Sequence, residues 1–194
     1  AAALRLGCDD RPALHAGLMA ALAALLPDLG IAYALATDAV AVADGAPLGW
    51  EAFWGVANAT HRVVTHTLPT GIVAALTFGA AVAVGRRAAI DDQNRPQPGL
   101  VPTVALAGAA LAGMVILLSG FRAAVSSAAA VVAAGFLVCV GAAGWVLAAR
   151  TDLPTAGATA AAGVGFLSHP FGDVLLAVPP PLFSPVGSPV LTAR

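Results

Sequence analysis

Two of the four histidines in this chain, His61 and His66, fall within six residues of each other, with Arg62 beside the first. The strongly apolar run from Leu68 to Val84 follows at once. Two imidazoles and a guanidinium at the mouth of an apolar helix are costly to place, and such residues read as functional by default. Asp28, His169 and Asp173 also interrupt apolar segments. A carboxylate alone in such a run needs a hydrogen-bonding partner or a cation, and Asp28 directly follows Pro27. His169 and Asp173 are spaced i, i+4 and share a helix face. That spacing suits two ligands of one ion, a ligand and the group that orients it, or an interhelical hydrogen bond. Pro170 between them removes a helix hydrogen bond and predicts a kink. His61 and His66 are five apart and do not share a face of a regular helix. Both can face one site if His61 sits in the turn before the helix proper. Arg62 suits an anionic phosphate or carboxylate, or snorkels to lipid head groups. His15, near the other end of the first apolar segment, reads as incidental.

The rest of the chain must carry these groups. Of its 194 residues 59% are hydrophobic and 10% charged, where a soluble domain carries about 25% charged residues. Too little charge remains to cover a surface facing water. The expected class is therefore all-α, a polytopic bundle of transmembrane helices, multi-pass in its membrane. Ala, Gly and Val dominate, and small residues let such helices approach closely. A net charge of −1 with no basic block gives no support for nucleic-acid binding. Cys8 and Cys139 lack C-x-x-C spacing and lie in unlike settings, so neither a redox or metal pair nor a disulfide is expected.

About five spans follow from runs of roughly 20 apolar residues. They cover Pro12 to Ala36, Val63 to Val84, Val101 to Leu118, Ala123 to Ala149 and Thr155 to Val178. Thr37 to Gly49 reads as a loop, and Ser119 to Arg122 as a short turn. Trp50, Phe53 and Trp54 suit an interfacial aromatic belt or a short amphipathic helix packed on the bundle. Residues 1–194 read as one helical domain, and the start at Ala1 suggests the tail of a helix from a longer chain. Arg86, Arg87 and Arg95 place the loop Gly85 to Gly99 in the cytoplasm. Asp28, His61, His66, His169 and Asp173 then all lie toward the opposite face.

Three stretches, taken in order, resemble the YdjM-like family, LexA-regulated inner-membrane proteins described as metal-dependent hydrolases. They are Leu25-Leu26-Pro27-Asp28, then His61-Arg62-x-x-Thr65-His66-Thr67, then Phe166-Leu167-Ser168-His169-x-x-x-Asp173. Order, spacing and hydrophobic setting agree, and Pro180 to Pro185 resembles that family's proline-aromatic segment. The resemblance covers about residues 20 to 186. Two positions depart from it. The family commonly has Pro-Asp-x-Asp where this chain has Pro27-Asp28-Leu29-Gly30, which removes a carboxylate that a second metal would use. It commonly has Gly after His-Arg, and Val63 stands there.

Residues and resemblance together predict a metal site of Asp28, His66, His169 and Asp173, with His61 as fifth ligand or general base. Zinc or manganese suits mixed imidazole and carboxylate ligands. Arg62 would hold an anionic group, and Thr65 and Ser168 would supply hydrogen bonds behind the ligands. The expected activity is hydrolysis of an ester or phosphoester, lipid-like and arriving from the inner membrane. Two other readings use the same residues: haem held by two histidines, and an ion pathway.

Overall fold

The computed structural model describes residues 10–46, 49–89, 98–151, 153–174 and 181–186, and all regular structure among them is helical. Helix α1, Asp10–Leu25, runs into a 3-10 turn, Leu26–Gly30, and on into α2, Ile31–Ala43. Pro27 stands in the first turn of the 3-10 segment, where a missing N–H costs little. The loop expected from Thr37 is instead helix as far as Ala43. Thr37 bonds back to the carbonyls of Tyr33 and Ala34, at 3.0 and 2.9 Å. The hydroxyl is satisfied within the helix and does not terminate it.

Helix α3, Trp50–Val56, carries the aromatic cluster expected of it, with Trp50 on Phe53 at 5.6 Å and Trp54 edge-on to both. A π-helical turn, Ala57–Arg62, leads into the short α4, Val63–Thr65. The chain breaks at His66 and Thr67 before α5, Leu68–Ala88. Thr67 is the cause of the restart: extended, it accepts from the Thr70 N–H, and Pro69 follows in the first turn, a combination that favours a helix start. The N–H of Leu68, which the helix itself cannot satisfy, donates to the Leu182 carbonyl at 2.8 Å.

Helix α6, Leu100–Ala124, passes straight through the turn expected at Ser119 to Arg122. Phe121 is fully buried there, and its packing holds the helix on. The reversal falls at Val125 and Ser126, where Ser126 caps α7, Ser127–Ala148, at the Ala129 N–H. At the far end Arg86 donates to the carbonyls of Ala148 and Thr151, closing the end of α7 onto α5.

Among the described residues, four segments are long and apolar enough to cross a membrane: Pro12–Ala43, Leu68–Ala88, Leu100–Ala124 and Ser127–Ala148. Of the fifth expected span, Thr155 to Val178, the described part is α8, Thr155–Val174, which forms as a helix and packs between α1 and α5; residues 175–178 lie outside the described residues. Helix α5 is the axis of the bundle, touching α6, α7 and α8. Phe78, Phe121, Phe166 and Leu137 form the largest part of the core, with Phe136 edge-on to Phe166. Leu14, Leu18 and Leu22 on α1 and Val104, Leu111 and Val115 on α6 are exposed, a distribution that a lipid environment satisfies and water does not.

Close approach between helices depends on glycine. At Gly165 of α8 an added Cβ would meet the Ala20 carbonyl, and would lie 2.7 Å from the Ala23 Cβ. This contact fixes α1, which carries Asp28, against α8, which carries His169. Replacing Gly165 with Val should therefore destabilise the protein by about 1–3 kcal/mol through overpacking, measured by reversible unfolding in detergent. Wild-type stability in that variant would show that α1 and α8 are not held by this contact.

Candidate metal centre

Asp28 stands in the 3-10 turn between α1 and α2. Pro12 lies sixteen residues earlier, a rise of about 24 Å. The whole segment Pro12–Ala43 has 32 residues and spans about 48 Å, against a hydrocarbon core of about 30 Å. The segment is therefore longer than a straight crossing needs. Beyond Asp28, α2 folds against α3, with Ala34, Phe53 and Ala57 forming a small second core.

The π-turn and the chain break bring the two neighbouring histidines together. A regular helix would set His61 and His66 about 140° apart. Here the backbone leaves the helix at His66, with φ −100° and ψ 38°, and the ring centroids come within 4.4 Å. His169, from α8, lies with its ring centroid 4.4 Å from that of His66 and its Nε2 2.8 Å from His66 Nε2. Asp28 Oδ1 faces all three imidazoles, 3.7 Å from His61 Nε2, 3.5 Å from His66 Nε2 and 3.5 Å from His169 Nε2. Gly30 makes room for this: a Cβ there would collide with the His61 ring.

Three of these donors fit a single small cation, and His169 stands beside them in contact with Asp28 and His66. Asp28, His61 and His66 offer ligand atoms that all lie within 4.8 Å of one another. A four-coordinate ion with ligands at about 2.0–2.1 Å sets its donors about 3.3 Å apart. The separations from Asp28 Oδ1 are close to that spacing, and the His66–His169 edge is shorter. Those two nitrogens must part slightly for both to bind one ion. The site is also asymmetric in exposure. The side chains of His61 and His66 are 4% and 2% exposed and that of Asp28 is 47% exposed, so the centre is walled by imidazoles and open on its carboxylate side.

His66 precedes the span Leu68–Ala88, and its pKa is lowered to about 2 by burial, then by His61, His169 and Arg62. It is neutral at any ordinary pH, the state in which imidazole binds metal. Thr65 is buried, with its hydroxyl within 3.1 Å of His61 Nδ1 and 2.9 Å of His66 Nδ1. Its single proton goes to the His61 carbonyl at 2.9 Å.

Of the residues expected at the site, Asp28, His66 and His169 meet. His61 joins them as a donor of equal standing, a place the sequence left open between ligand and base. Asp173 belongs to α8, and its side chain lies outside the described residues. Arg62 is half-buried and close enough to His66 to act on it electrostatically. Ser168 is exposed and donates to the Gly165 carbonyl of its own helix, at 3.1 Å. His15 lies well before the cluster in α1.

The purified protein should carry close to one divalent transition ion per chain. Asp28→Ala and His66→Ala should each lose most of it, while His15→Ala should keep it, as read by elemental analysis. Full metal content in both site variants would remove this cluster from consideration. No protein-family model, no curated protein and no solved structure matches this chain, so what the site does must be read from its own residues.

Proposed function

We propose that this chain is a multi-pass inner-membrane, metal-dependent hydrolase of the YdjM-like kind, acting on a lipid-like ester or phosphoester. The observation that carries the reading is the convergence of Asp28, His61 and His66, with His169 in contact, at a point where two imidazoles are sealed and the carboxylate is exposed. A closed structural site would use up its ligands, whereas a hydrolytic site keeps one side for water and substrate. Zinc or manganese bound there supplies the Lewis acidity that activates water and polarises the scissile bond. The chain's own residues hold the ion through His61, His66 and His169, and Asp28 stands at the open edge. Arg62 holds the anionic group of the substrate. Asp173, one turn beyond His169 on α8, is a further ligand in this reading.

A lipid-like substrate is favoured by what surrounds Asp28. Leu25, Leu26 and Leu29, its neighbours in sequence, line an apolar groove of about 220 Å³ together with Met19 and Phe78, beside the site and not part of it.

The test is turnover by the metal-loaded protein in detergent, across chromogenic carboxylic esters, phosphomonoesters and phosphodiesters with short and long acyl chains. Hydrolysis should require the metal and favour the long chains. His61→Ala should lose most of the metal and, with it, the turnover, read by elemental analysis beside the assay. Complete metal loading without turnover on any of these would leave a metal-binding membrane protein and end the hydrolase reading.

The arginine bias places the centre toward the extracytoplasmic face. In a variant lacking Cys8 and Cys139, an impermeant thiol reagent on intact cells should label Gly45→Cys and spare Gln93→Cys. The reverse pattern would turn the site toward the cytoplasm and make a soluble substrate the better choice.

A further inference from the structure

The Thr65 hydroxyl has three polar neighbours and one proton. The His61 carbonyl, at 2.9 Å, can only accept, so it takes that proton. A hydroxyl offers two lone pairs besides its hydrogen. His61 Nδ1 at 3.1 Å and His66 Nδ1 at 2.9 Å must then both be donors, each carrying its ring proton on Nδ1. Thr65, His61 and His66 are all buried, which makes an unmatched lone pair or N–H there expensive. We propose that Thr65 is a positioning residue that locks His61 and His66 into the Nδ1–H tautomer, so that both Nε2 lone pairs face Asp28, and that His169 alone carries its proton on Nε2.

The second half follows from the first. His66 Nε2 has no proton, so its 2.8 Å contact with His169 Nε2 requires that His169 be the donor. Two of the three imidazoles are therefore set for metal before any ion arrives. The third must pass its proton from Nε2 to Nδ1 and turn away from His66. Loading is thereby gated at α8 and prepared at the α4–α5 junction. The sequence arrangement makes the device possible: Thr65 is one helical turn after His61, so its hydroxyl reaches back to that residue's ring and carbonyl, and it is adjacent to His66. The two histidines, which cannot share a face of one helix, are joined through a single oxygen.

This inference rests on the metal reading of the site but does not need hydrolysis, and its main test uses neither metal nor substrate. In metal-free protein labelled with ¹⁵N-histidine, long-range ¹H–¹⁵N correlation spectra should show His61 and His66 with protonated Nδ1 and unprotonated Nε2. His169 should show the opposite. Thr65→Ser keeps the hydroxyl and should preserve this pattern and the metal affinity. Thr65→Val keeps the shape and removes the oxygen. It should mix the tautomers of His61 and His66 and weaken zinc binding by roughly 10–100-fold, the usual effect of losing a group that orients a ligand. A wild-type spectrum with Nε2–H on either His61 or His66 would overturn the proposal. So would Thr65→Val protein with both tautomers and zinc affinity unchanged. Should Thr65→Val fail to fold, the wild-type and Thr65→Ser spectra decide the matter alone.

Discussion

Buried imidazoles in an apolar bundle must be paired, and most of this structure follows from how that demand is met. An unpartnered polar group in such surroundings costs about 1–3 kcal/mol. His61 and His66 are nearly sealed, and neither could persist there without acceptors and donors at fixed places. Thr65 supplies one side of both rings, and Asp28 with His169 faces the other. The π-turn and the break at His66 are the backbone's part of the same solution. A regular helix through this stretch would leave one of the two rings pointing at lipid. π-turns inside helices tend to occur where a side chain has to be re-aimed for function, and the one at Ala57–Arg62 ends on the residues that face the centre.

The bundle holds these groups by surrendering side-chain volume. Glycines at helix crossings bring backbones close: Gly165 against Ala20 and Ala23, and Gly144 2.6 Å, measured from an added Cβ, from the Phe78 carbonyl. In lipid there is little hydrophobic drive between helices, so van der Waals contact over such surfaces carries the association. Aromatic rings fill what the glycines do not, with Phe78, Phe121 and Phe166 buried at the centre. Small residues therefore set where α1, α5 and α8 sit, and that placement sets the distances between Asp28, His66 and His169.

The two ends of the bundle are finished differently. At one end Arg86 and Arg87 spend their guanidinium groups on carbonyls of Ala148, Thr151 and Pro98, a use that favours a positive charge near a helix C-terminus. Those arginines tie loops down. At the other end polar side chains face one another, and α2 and α3 form a small apolar core of their own. Charge serves closure on one side and chemistry on the other, which is consistent with a single working face.

Much of this was written in the sequence. Low charge and long apolar runs dictate a helical membrane bundle. Isolated polar residues at matching depth dictate that Asp28, His66 and His169 should meet, because each is too costly to leave alone. Helix ends were less legible. Thr37 and Ser119 to Arg122 look like breaks, but a hydroxyl bonding back to its own helix and the burial of Phe121 carry both helices further. Helix α8 carries His169 into the bundle because it packs between α1 and α5, a placement that hydropathy does not foretell. The standing of His61 was a tertiary decision as well. Five residues from His66, it could join the site only through a π-turn and a chain break, and sequence periodicity carries no signal for either. The space it occupies exists because Gly30 has no side chain, a fact that becomes meaningful only when the π-turn is laid against the turn that bears Asp28.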